Sequence, residues 1–150
     1  MSDLSELYQA LILDHKQHPR HFSALANANR KADGYNPFCG DRFTVYVDVE
    51  NGEIEDIGVE GEGCAISTAS ASMMAEEVLG KSVEEVEERF EQFRRMMADT
   101  ADDADYGALG DLEAFAGVRR FPTRIKCANL AWHTLHAALT NQETAVSTED

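Results

Sequence analysis

The sequence predicts an α+β fold in which a small antiparallel β-sheet packs against helices. Three observations carry that expectation. The run "RFTVYVDVENGEIEDIGVEG" alternates apolar and polar residues around Asn51-Gly52, the mark of half-buried strands joined by a tight turn. On either side of it, apolar residues recur at helical spacing. The chain has 150 residues, 43% of them hydrophobic, enough for one domain with its own core.

Taken in order, Asp3 and Glu6 form a capping box for a first helix. Its inner face is Leu4, Leu7, Tyr8, Leu11 and Ile12. Pro19 disfavours helical geometry in the residue before it, so the helix ends near His18. "RHFSALANANRKADGYNP" is rich in turn residues and reads as a long loop. In the hairpin, Phe43, Val45, Val47 and Val49 share a face, and the turn pairs Val49 with Ile54. Ile57 and Val59 then fall one position out of phase. A one-residue bulge near Glu55-Asp56 would restore the register, setting Ile57 opposite Val47 and Val59 opposite Val45.

An extended piece through Gly63 leads into a helix from about Ile66 to Leu79, stopped by Gly80. Its Ala/Ser face lets another backbone come close, and Met73 and Met74 read as core or groove packing. Ser82 and Glu85 form a second capping box. The stripe Val83, Val86, Phe90, Phe93 and Met97 follows; it reads as core, with a part in a docking surface left open. "MADTADDADYG" breaks that helix, and "ALGDLEAFAG" reads as a short one. Pro122 opens the last helix, with Ala128, Ala131, Trp132, Leu135 and Leu139 facing inward. Residues 1–140 are thus read as a single domain and 141–150 as a disordered acidic tail.

Charge narrows the function. Thirteen basic against 28 acidic residues give a net charge of −15. Such a chain repels phosphate backbones and anionic lipid, which argues against nucleic-acid and membrane partners. No apolar run approaches a membrane span, and "MSDLSELYQ" lacks the regions of a signal peptide, so the expected location is the cytoplasm. Three cysteines is an odd number for a disulfide framework. In a reducing compartment it suggests metal binding or thiol chemistry.

Cys39 and Asp41 lie two positions apart before a strand-like run. In an extended segment they would point to the same side, with Gly40 leaving the approach open. Cys64 precedes a helix N-terminus and Cys127 lies in the first turns of the last helix, where backbone N–H groups favour thiolate. Three thiolates and a carboxylate match zinc in ligand type and number. Thiolates also hold iron–sulfur clusters, and free cysteines often simply fill cores, so spacing alone leaves all three readings open. His15, His18 and His21 are better explained by the dipole at a helix end than by metal. His133 and His136 share a helix face without a third ligand and read as surface or packing residues, and Trp132 reads as core.

The motifs "NPFCGD", "GEGCAISTASASMM" and "GVRRFPTRIKCANLAW", with the opening "LYQALILDHKQHPRH", resemble the SufU branch of the IscU/NifU N-terminal-like iron–sulfur cluster assembly family. The resemblance runs from the first helix to the last. Lys126 stands where scaffold-type IscU proteins carry a histidine, and the stretch from about Phe90 to Asp111 contains the insertion of SufU-type proteins. Ser23 stands where relatives often have glycine.

The resemblance implies an IscU/SufU-like fold, with Cys39, Asp41, Cys64 and Cys127 as zinc ligands. It implies, at most, a zinc-dependent sulfurtransferase: Cys39 accepts persulfide sulfur from a SufS-type cysteine desulfurase, with downstream SUF scaffold proteins as further partners. A histidine of the desulfurase would replace the cysteine on zinc. The alternative is a scaffold building a [2Fe–2S] or [4Fe–4S] cluster on the same ligands, and a purely structural zinc site is a further rival. Arg124 would assist by holding Asp41 or a persulfide anion, against the reading of a solvated helix-start arginine. Lys126 reads as facing solvent. Asp41, the hard donor among soft ones, would be the labile ligand.

Overall fold

The computed structural model describes residues 3–37, 39–98, 107–140 and 146–147. Its helices are α1 (Asp3–Gln17), α2 (Ala65–Val78), α3 (Val83–Ala98) and α4 (Pro122–Leu139). They cover one face of a sheet whose centre is the predicted hairpin, β2 (Asp41–Glu50) and β3 (Glu53–Glu62). Asn51 and Gly52 both take positive φ, 55° and 78°, as a two-residue turn between right-twisted strands requires. The register is the predicted one: Val49 faces Ile54, Val47 faces Ile57 and Val45 faces Val59. Asp48 faces Asp56 and the register shifts beside it, leaving Glu55 as the extra residue of the bulge.

Two segments depart from the sequence reading. Arg30–Asn36, read as part of a loop, is a strand, β1, antiparallel to β2. Asp33, Gly34 and Asn36 give it little intrinsic strand preference, and pairing with β2 and packing under α4 decide its state. Gly34 is needed there, because a Cβ would collide with Thr134 of α4. In the tail, Val146–Ser147 form a short strand, β4, parallel to β1 at Gly34 and Tyr35. The open edge of β1 supplies the backbone partners. The sheet order is β3-β2-β1-β4. The other tail residues, and most of the acidic stretch before residue 107, lie outside the described residues.

The second capping box forms as its residues predict. Ser82 Oγ accepts from the Glu85 N–H at 3.1 Å, and Glu85 Oε1 accepts from the Ser82 N–H at 3.4 Å, closing the capping box of α3. The small face of α2 lets α4 approach, and Ser70 Oγ donates to the Ala128 carbonyl at 2.6 Å. Instead of one short helix, Gly107–Arg120 forms 3₁₀ turns broken at Gly110, whose positive φ of 58° ends regular winding. Phe43, Val45, Val47, Ile54, Ile57 and Val59 line the inner sheet face. Phe93 stacks on Trp132 at 5.2 Å and meets Phe115 edge-on at 5.9 Å. Leu11 and Ile12 of α1 pack on this core, and the α1 cap, with Leu4, Leu7 and Tyr8, falls on side chains outside the described set.

His15, His133 and His136 are packing residues, whereas His18 at the end of α1 is exposed. His15 is buried between α1 and α2, its Nδ1 2.7 Å from Ser72 Oγ, so a solvated dipole partner is not its role. His133 and His136 flank the Phe90 ring at 5.2 and 5.0 Å, and His136 Nδ1 lies 2.8 Å from Glu87 Oε2. Desolvation, with lesser contributions from nearby cations, lowers the pKa of both His15 and His133 below the usual imidazole value. The unfolded chain therefore takes up protons that the fold resists. This contribution to stability is complete above about pH 6.5 and is lost as the pH falls from there toward the lowered folded values. Thermal melting of the metal-free chain is expected to shift down between pH 7.5 and 5.5, and His15→Asn is expected to flatten that slope. An unchanged slope in the variant would remove His15 from this account.

Candidate metal centre

The period of two places the first candidate ligand. β2 sends Phe43, Val45 and Val47 inward, and the same parity turns Asp41 inward at the strand's start, where it is fully buried. β1 does likewise with Ala32, Gly34 and Asn36, and Asn36 pairs directly with Asp41. Between Asn36 and Asp41 the chain turns, with the Gly40 N–H donating to the Asn36 carbonyl at 2.9 Å and Gly40 at φ 71°. Cys39 sits exposed on this loop. It does not stand in an extended segment with Asp41, as spacing suggested; the chain turns at Gly40, and the two side chains still meet.

Cys64 is the N-cap of α2, and its Sγ accepts from the Ser67 N–H at 3.4 Å. The Cys64 N–H donates to Asp41 Oδ1 at 2.8 Å. Gly63 keeps that contact open, because a Cβ would press on Asp41 Oδ1 and Ser67 Oγ. Cys127, buried in the second turn of α4, lies with its Sγ 3.2 Å from that of Cys39. The donor atoms of Cys39, Asp41, Cys64 and Cys127 all lie within 4.8 Å of one another. Metal–sulfur bonds of about 2.3 Å in a tetrahedron place sulfurs about 3.8 Å apart, so the cluster has the size and donor chemistry of a four-ligand zinc or iron site. Among the described residues no other group of three His, Cys, Asp or Glu side chains converges in this way.

Electrostatics corrects one expectation. Cys127 does not gain thiolate character from its helix. Burial, followed by the neighbouring Cys39 and Cys64 thiols, pushes its pKa well above the ordinary thiol value, and a cation in the cluster would reverse that. Arg124 is exposed and points Nη1 at Cys39 Sγ, 3.7 Å away. The thiols of Cys127, Cys64 and Cys39 raise its pKa, so it stays charged. It reaches a sulfur and not Asp41, whose two oxygens are engaged by the Cys64 N–H and by Asn36 Nδ2. Lys126 is half-buried and engaged by a neighbour, not simply turned to solvent. Asn36, Gly63 and Ser67 were missed by sequence reasoning. Asn36 stands in the same "NPFCGD" motif as two of the candidate ligands, which was the available signal.

A helix-backed antiparallel sheet gathers three cysteines and an aspartate at one end into a thiol-rich group that could hold a metal ion. Residues 7–128 match the NifU-like N terminal domain family, and the chain belongs to that family. It is 41% identical over 142 residues to the zinc-dependent sulfurtransferase SufU of Bacillus subtilis strain 168, covering 95% of each chain. It is 39% identical over 139 residues to the iron–sulfur cluster assembly scaffold protein IscU of Streptococcus pyogenes serotype M1, covering 93% of this chain and 86% of that one. Among solved structures, a candidate iron–sulfur cluster assembly scaffold protein for the SUF system from Fervidobacterium islandicum AW-1 superposes with a TM-score of 0.80. It is 35% identical, with 86% of this chain and 93% of that one covered. No helix among the described residues is long and apolar enough to cross a membrane.

Proposed function

We propose that this chain is a zinc-dependent sulfur acceptor of cytoplasmic iron–sulfur cluster assembly, receiving sulfur on Cys39 from a SufS-type cysteine desulfurase. One observation carries the reading: of the four converging donors, only Cys39 is exposed. The Cys39 thiolate attacks the outer sulfur of the desulfurase persulfide. A new S–S bond forms on Cys39, the old one breaks, and the desulfurase cysteine leaves as thiolate. No oxidant is consumed. Zinc, held by Cys39, Asp41, Cys64 and Cys127, supplies positive charge that keeps thiols deprotonated at neutral pH. Arg124 stands where it can stabilise the anion that Cys39 carries before and after transfer.

The similarity to IscU scaffolds supports a second reading, a cluster assembled on the same three thiols. Elemental analysis and an absorption spectrum of anaerobically purified protein separate the two. About one zinc per chain without visible absorption is the expected result. Iron with sulfide and a brown colour would move the chain to the scaffold reading. A purely structural zinc is opposed by the extended hydrophobic core, and the chelated protein is expected to stay folded.

A further inference from the structure

We propose that Asn36 is the positioning residue of the metal site, its side-chain amide fixing Asp41 and Cys127 so that Cys39 is the ligand left free to exchange. The inference rests on the metal-site reading above and adds a residue to it. Asn36 is fully buried at the end of β1, directly across from Asp41. Its Nδ2 lies 3.0 Å from Asp41 Oδ2 and 3.4 Å from Cys127 Sγ. The opposite amide orientation would set its oxygen against a carboxylate and a sulfur, which is repulsive, so the nitrogen must face the site. Its two N–H groups thus serve two ligands, one on β2 and one on α4.

The kind of donor around each ligand then differs. Asp41 receives hydrogen bonds on both oxygens, from Asn36 and from the Cys64 N–H. Cys127 is buried and receives one from Asn36, and Cys64 receives one from the Ser67 N–H. Cys39, on its loop, also accepts one, but from the exposed side chain of Arg124 at 3.7 Å and not from a backbone or buried donor. Donor hardness alone made Asp41 the labile ligand. The hydrogen bonds make it an anchored one, since partners of this kind orient a ligand and strengthen its hold.

The test uses Co²⁺ as the probe, titrated into the metal-free full chain without oxygen. Asn36→Asp keeps the shape and removes the donor, and Asn36→Ala removes the side chain without adding charge. Both are expected to weaken Co²⁺ binding about 10- to 100-fold and to shift its ligand-field bands. In an Asp41→Ala background, Asn36→Ala is expected to cost distinctly less, because part of its effect runs through Asp41. Undiminished affinity with unshifted bands in both variants would overturn the proposal. So would an equal loss in the two backgrounds, which would mean that Asn36 acts through the fold alone. Absence of Co²⁺ binding by the unaltered chain would overturn the metal-site reading, and this inference with it. Should the variants misfold, the side-chain amide protons of Asn36 in the loaded, unaltered chain decide: slow solvent exchange supports the proposal and fast exchange overturns it.

Discussion

Cys39→Ala is expected to reduce a SufS-type desulfurase to its unstimulated turnover while leaving the fold intact. The two halves of that expectation have separate causes. Turnover depends on a thiolate that the partner can reach, and Cys39 alone among the converging donors is exposed. Stability depends on burial, and an exposed loop side chain contributes little, about 0.5 kcal/mol or less. Coupled desulfurase assays and a melting curve of the metal-free variant check both halves. Normal stimulation by Cys39→Ala would mean that another thiol accepts the sulfur. Loss of the fold would mean that the loop is structural.

Trp132→Ala is expected to cost roughly 3–5 kcal/mol, the range for a large aromatic removed from a core. For a chain of this size that corresponds to a fall in melting temperature on the order of 10 °C. Trp132 is fully buried and stacked on Phe93, which in turn meets Phe115, so one truncation loosens α4, α3 and the 3₁₀ turns together. Its indole nitrogen finds no hydrogen-bond partner among the described residues. Trp132→Phe therefore gives up no hydrogen bond and is expected to be much milder than alanine. Because α4 carries Cys127, added zinc should raise the melting temperature of the alanine variant through binding to the folded state. A loss below about 1 kcal/mol, where most surface substitutions fall, would contradict the central place given to this stack.

The hairpin was legible in detail because period-two alternation and the Asn51-Gly52 turn agree, and their one disagreement, the phase of Ile57 and Val59, pointed to the bulge. The helices were legible from caps and stripes. β1 was not, since Asp33, Gly34 and Asn36 carry no strand preference and only the edge of β2 and the contact with Thr134 make them a strand. That miss concealed the site's geometry: without β1, Asn36 has no fixed place opposite Asp41, and Cys39 reads as extended when it lies on a turn. The ligand types were visible as residues, but their convergence is tertiary. Asp41 accepts two hydrogen bonds, which underlie the proposal that it is an anchored ligand where donor hardness alone suggested a labile one.

The most direct test of the central claim is to find which sulfur carries the transferred atom. The full chain would be incubated with a SufS-type desulfurase and cysteine, alkylated, cleaved and mapped by mass spectrometry. The account predicts one added sulfur on the peptide containing Cys39. Added sulfur on Cys64 or Cys127, or on none of the three while the desulfurase is stimulated, would contradict it.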